Sequence, residues 1–76
     1  MINLLVVDPD PVVRCGFKTF LNDCDFMNIV NCVKNIKQAM EIIDNRLIDI
    51  LITEMVLNSE SPINLIAQAK KNCPEI

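Results

Sequence analysis

Histidine is missing from this 76-residue chain, and Cys15, Cys24, Cys32 and Cys73 form no C-x-x-C pair. Zinc sites are usually built from closely paired Cys and His ligands, so a thiolate zinc centre is not expected. The N-terminus has no basic stretch, and the first apolar run stops at Asp8, too short for a secretory signal or a membrane span. Without a secretory signal a disulfide framework is not expected either, and the four thiols read as small, half-buried side chains in a reducing compartment. Basic residues are in the minority, seven against ten acidic, for a net charge of −3. That balance gives no electrostatic footprint for nucleic acid within these residues.

What is present points to one small globular domain. Apolar residues make up 51% of the chain. A chain of this size buries only roughly 60% of the surface exposed when unfolded, so its stability is marginal. Ile, Asn and Lys together supply about a third of the residues, and Lys outnumbers Arg. These residues have AT-rich codons, which hints at an AT-rich genome such as that of an organelle or a reduced bacterium.

The chain alternates between two periodicities. Ile2–Val7 reads as an apolar strand buried on both faces. Asp10 then suits a helix N-cap and Pro11 the first helical position. Val13, Phe17, Phe20 and Leu21 follow as one apolar stripe, and Asn22 and Asp23 end it. A second strand is expected over Met27–Val33. Asn35 caps a helix whose stripe is Ile36, Ala39, Met40 and Ile43. A third strand is expected over Leu47–Thr53, a polar loop over Asn58–Ser61, and a third helix from Pro62. Leu65, Ile66 and Ala69 give that helix its inner face, and Cys73-Pro74 closes it. The order β-α-β-α-β-α predicts a parallel α/β sheet with right-handed crossovers.

In open α/β sheets, ligands bind beyond the carboxyl ends of the strands. Two of the expected strands end in acid, Asp8 after the first and Glu54 after the third. If those strands are neighbours, the two carboxylates share a crevice, and hard cations such as Mg²⁺ take such oxygen ligands.

The stretch INLLVVDPDPVVRCGF resembles the opening of a response-regulator receiver domain, where an acidic pair precedes a proline and an hhRxGh helix (h, hydrophobic). NIKQAMEII resembles that family's second helix. IDILITEMVL resembles its third strand, with Asp49 near the start and Glu54 at the position of the phosphate-accepting aspartate. NLIAQAKKNCPEI resembles its third helix. The four matches stand in register over the whole chain. They imply a partial flavodoxin-like fold, three parallel strands in the order 2-1-3 with three helices, and a role in two-component signalling and transcriptional regulation. The opening is most similar to the DNA-binding subgroup. Together with the AT-rich bias, it resembles plastid-encoded regulators of the TctD-like type. That resemblance implies a place in the plastid stroma, or otherwise in a bacterial cytoplasm. A sensor kinase or a regulator chain is the partner it implies.

Departures from the family pattern bear on function. Asp8 matches the first member of the acidic pair, but Pro9 stands where the second carboxylate belongs. Glu54 adds a methylene, about 1.5 Å of chain, to the acceptor position. A misplacement of ~1 Å can cost ~10²-fold in a positioned reaction. The expectation is a weak, incomplete Mg²⁺ site of Asp8 and Glu54, and no enzymatic activity. Phosphorylation at Glu54 should be slow or absent, with its charge as a partial mimic of the phosphorylated state or a tolerated relic. The family's Ser/Thr and Lys after the fourth and fifth strands have no counterpart here, which implies a truncated receiver over residues 1–76, without an output domain. As the last strand of a 2-1-3 sheet, Ile48–Thr53 should be an apolar edge able to self-associate or pair with a partner chain. Leu65, Ile66 and Ala69 should then be partly exposed.

Alternatives of other classes remain. The alternative reading is a structural or interaction fragment, or a non-functional remnant. Asp8-x-Asp10 after a strand also resembles haloacid-dehalogenase-type phosphatases, with a nucleophile and a general acid–base. That motif normally continues Gly-Thr, whereas this chain has Pro11-Val12.

Overall fold

The computed structural model describes residues 1–55, 57 and 60–76. Its elements are β1 (Ile2–Val7), α1 (Pro11–Leu21), β2 (Met27–Val33), α2 (Ile36–Asn45), β3 (Ile50–Thr53) and α3 (Pro62–Asn72). The three strands form one parallel sheet in the order β2-β1-β3. This is the expected arrangement.

β1 is the centre of the molecule. Leu4, Leu5, Val6 and Val7 are all 3% exposed or less, because neighbouring strands cover both edges and helices cover both faces. Side chains alternate across a strand. Leu5 and Val7 point to the main core, where they meet Val33, Ile36, Ala39, Ile43, Ile48, Leu57, Leu65 and Ala69. Leu4 and Val6 take the opposite face, on which α1 packs against β1 and β2. So α2 and α3 share one face of the sheet, and α1 has the other to itself.

The helix boundaries follow from the caps. Asp10 Oδ1 accepts a hydrogen bond from Val12 N, with Pro11 at the first helical position. Asn35 Oδ1 accepts from Gln38 N at the start of α2. Ser61 Oγ accepts from Ile63 N at the start of α3, with Pro62 behind it. The Ser61 cap was not singled out in the sequence, although Ser-Pro is the same signal as Asp10-Pro11. Asn58 and Ser59 of the expected polar loop lie outside the described residues.

Four expectations are corrected. β3 is shorter than Leu47–Thr53: Leu47 is exposed, and Ile48 is buried in the core ahead of the strand. Asp49 then joins the sheet by its side chain, Oδ2 accepting from Asn3 N at 2.7 Å while its own N–H donates to Asn3 O. Burial on both faces holds for β1 alone. The α1 stripe is not a core stripe, since no α1 residue is buried and Phe20 is 84% exposed. Leu65 and Ala69 are fully buried rather than partly exposed, because α2 packs against α3, and only Ile66 of that trio faces solvent. Cys15 is exposed, whereas Cys24, Cys32 and Cys73 are half-buried as expected.

One irregularity has a packing reason. The β1–β2 register runs Leu4↔Ile29 and then Leu5↔Asn31, so Val30 is an extra residue in β2. The bulge lets Val30 lean on the main core while Ile29 and Cys32 keep to the α1 side. It also bends an outer strand that would otherwise offer a flat pairing edge.

The burial contrast within α3 sets an expected pair of outcomes. Leu65→Ala should cost about 2–5 kcal/mol, enough to unfold much of a marginal chain. Ile63→Ala, at a position 72% exposed, should stay within about 0.5 kcal/mol of wild type. Urea unfolding of the two variants beside the parent measures both.

Candidate functional site

The acidic end of the sheet is built by strand register. Val7 pairs with Thr53, so Asp8 and Glu54 leave the ends of neighbouring strands at the same level. Glu54 N donates to Val7 O at 3.1 Å, and Asp8 N donates to Val33 O at 2.9 Å. Adjacent strands lie about 4.8 Å apart, which brings both acidic residues to one end of the sheet. The structure thus joins the two residues that the sequence placed 46 positions apart.

Asp8 and Asp10 repeat one local device. Asp8 Oδ1 accepts from Asp10 N at 2.8 Å, and Asp10 Oδ1 accepts from Val12 N at 2.9 Å. In each case an aspartate bonds the backbone two residues on, around a proline whose φ is preset for a turn. The DPDP segment is therefore two successive Asx turns, the second serving as the α1 cap. Asp8 is 6% exposed, the one buried charged side chain among the described residues. Its burial follows from standing at the end of the most buried strand.

Glu54 is exposed, and its Oε1 accepts from the N–H of its neighbour Met55 at 2.7 Å. Each of the two crevice carboxylates thus already accepts a bond from the local backbone. Among the described residues no group of three or more His, Cys, Asp or Glu side chains could hold a metal ion. Asp10 brings no third ligand, because its carboxylate is turned to the α1 cap.

Three contacts around the crevice were not anticipated. Arg14 Nη1 donates to Asp8 O at 2.7 Å, reaching back from α1 to the β1 end. This places a guanidinium beside the acidic loop and ties the helix to it. Cys32 Sγ lies 3.9 Å from Arg14 O on the same side of the sheet. Burial pushes the Cys32 thiol above its ordinary pKa, against the opposing pull of Lys18 and Arg14. On the other side, Glu60 Oε1 accepts from Ile36 N at 3.4 Å, holding the segment after β3 to the start of α2. An acidic group at a helix N-terminus is favoured by the unpaired amides there. Leu57, fully buried in the core, anchors the same segment. Neither Arg14 nor Glu60 carries a spacing signal that points to these partners.

No family model matches the chain, and no curated protein matches it by sequence. Solved structures do match. The chain is similar to the RcsB response regulator of Salmonella typhimurium, at 20% identity and TM-score 0.84, over 99% of this chain and 38% of that one. It is similar to RcsB of Salmonella enterica serovar Typhimurium bound to promoter rprA in the presence of phosphomimetic BeF3−, at 20% identity and TM-score 0.87, over 100% and 40% of the two chains. An RcsB–DNA complex matches at 20% identity and TM-score 0.87, over 99% and 39%. The chain has the fold of a response-regulator receiver domain along its whole length, and spans about two fifths of the chains it matches.

Removing the Asp8 carboxylate should unpair the Asp10 amide at the turn. Asp8→Ala is expected to lose about 1–3 kcal/mol of stability. Asp8→Asn keeps an oxygen that can accept from Asp10 N and should retain most of it. Thermal unfolding of the two variants separates the structural share of Asp8 from any share in ligand binding.

Proposed function

We propose that this chain is a degenerate receiver-like module of two-component regulation that does not take a phosphoryl group at the usual acceptor position. The observation that carries the reading is the end of β3. Glu54 stands level with Asp8 across the strand ends, on a receiver fold, where the family has an aspartate. Its longer side chain accepts from the Met55 amide, and Pro9 offers no carboxylate for a metal. Mg²⁺ binding by Asp8 and Glu54 is therefore weak, and the chain turns over no substrate. The fixed charge of Glu54 acts as a partial, permanent stand-in for the phosphorylated state, signalling to a regulator or sensor chain through surfaces rather than through phosphoryl transfer. DNA recognition is not expected of these residues, with seven basic against ten acidic.

The phosphatase alternative loses support from the geometry. A general acid–base needs a free carboxyl group over the reacting atoms, and Asp10 is occupied as the cap of α1.

Interaction through the third strand has an observation of its own. β3 pairs only with β1 among the described strands, and Ile50–Thr53 contains neither lysine nor proline. Its other edge is open to a strand of a partner chain. In the dilute chain, the β3 amides that do not face β1 should exchange with solvent much faster than those of β1. Uniform protection of both strands, read by hydrogen exchange with residue resolution, would show the edge to be covered and remove this reading.

Phosphodonor chemistry tests the main proposal. Acetyl phosphate with Mg²⁺ should leave the wild-type mass unchanged, and a stoichiometric, base-labile phosphoryl adduct would overturn the proposal. In a parallel titration, Pro9→Asp should bind Mg²⁺ more tightly than wild type, since hard cations gain from each added carboxylate. Equal affinities would show that the crevice is not the cation site.

A further inference from the structure

β3 is a short edge with apolar side chains on both faces. Register places Ile50 and Ile52 on the face of Leu4 and Val6, and Leu51 and Thr53 on the face of Leu5 and Val7. Among the described strands β3 pairs with β1 alone. Ile50 is 43% exposed, and the other three residues are only half-buried. Between β3 and α3 lies an open hollow of about 360 Å³, with Ile50 and Leu51 on the strand side, Ile66 and Ala69 on the helix side, and Ile76.

Two charged residues, Asp49 and Lys70, border the hollow, and both are already engaged. Asp49 Oδ2 accepts from Asn3 N at 2.7 Å. Lys70 Nζ donates to Pro74 O at 2.9 Å and to Ile76 O at 2.8 Å. The occupant that fits is therefore an extended segment with a free backbone edge and apolar side chains. This chain carries such a segment itself. Ile50–Thr53 holds no charge and no proline. Met55, just past it, is a large apolar side chain left 78% exposed by its own fold.

We propose that the occupant is β3 of a second copy of this chain, added antiparallel across a two-fold axis. The inference rests on the open β3 edge of the preceding reading and names what covers it. An axis perpendicular to the sheet keeps each face of one copy with the same face of the other, so residues set opposite must share a face. A register centred on Ile52 meets that condition. Ile52 faces its own counterpart, and Leu51 of each copy faces Thr53 of the other. The same register carries Met55 of one copy to the level of Asp49 in the other, beside the hollow. An unbranched, flexible methionine suits a gap of irregular shape. The outward amides and carbonyls of the two strands pair with each other, and the two sheets become one. The shared edge is only four residues long, so the pair is weak and concentration-dependent.

Hydrogen exchange with residue resolution, run beside sedimentation equilibrium of the whole chain from dilute to concentrated solution, tests it. The outward β3 amides should exchange fast in the dilute monomer and gain protection in step with dimer formation. Met55→Ala should weaken the dimer about tenfold, as expected for taking most of a large apolar side chain out of an interface. Its urea midpoint at low concentration should match wild type, since the side chain is exposed in the monomer. A chain that is monomeric at every concentration, with those amides fast throughout, overturns the proposal and leaves the edge to a different chain. Association that leaves them unprotected, or that Met55→Ala does not weaken, overturns it as well. Protection already complete in the dilute monomer removes the open edge itself, and this inference with it.

Discussion

Everything in this molecule depends on keeping β1 dry. Four consecutive residues, Leu4–Val7, lose nearly all contact with water, and that requires a strand on each side and helices above and below. Continuous burial is what sets a parallel strand apart from the half-buried strands of antiparallel sheets. β2 and β3 flank β1, and neither is buried to the same extent. The order β2-β1-β3 is thus the solution in which the most apolar segment takes the middle. It is also what places Asp8, the next residue, in a buried position at the end of the sheet.

The acidic end of the sheet follows from that placement, and its chemistry is decided by local hydrogen bonding. A carboxylate that leaves a buried strand must find donors. Asp8 finds one in Asp10 N, across Pro9, and Glu54 finds one in Met55 N. Each carboxylate therefore stabilises the loop that carries it, which leaves fewer lone pairs facing outward for a cation. Arg14 adds a fixed positive group beside the same loop. This end of the sheet has the receiver fold, and both of its carboxylates are engaged by the local backbone.

The two faces of the sheet are covered unequally. On one, α2 and α3 pack on each other and on the sheet, closing Leu65 and Ala69 away from solvent. On the other, α1 stands alone over β1 and β2, so its far flank and the outer residues of β3 keep their contact with water. A single helix is about 10 Å across, roughly two strand spacings, and cannot cover three strands. The unburied apolar surface of this chain lies where that geometry leaves it.

The sequence by itself determined the order of the elements and most of their ends, the start of β3 excepted. Asp10-Pro11 and Asn35 act within a few residues of where they stand, and the apolar runs of β1 and β2 are local patterns, so both could be read directly. The placement of Asp8 and Glu54 was legible for the same reason: each follows a strand. What remained to tertiary structure was every question of cover. Phe20 and Leu65 occupy equivalent places in similar apolar stripes, yet one faces water and the other none, because α2 reaches α3 and no element reaches the far flank of α1. Ile48 and Leu57 became core residues although they lie outside the regular elements. Their burial depends on which distant helix the chain meets there, and no periodicity along the sequence encodes that meeting.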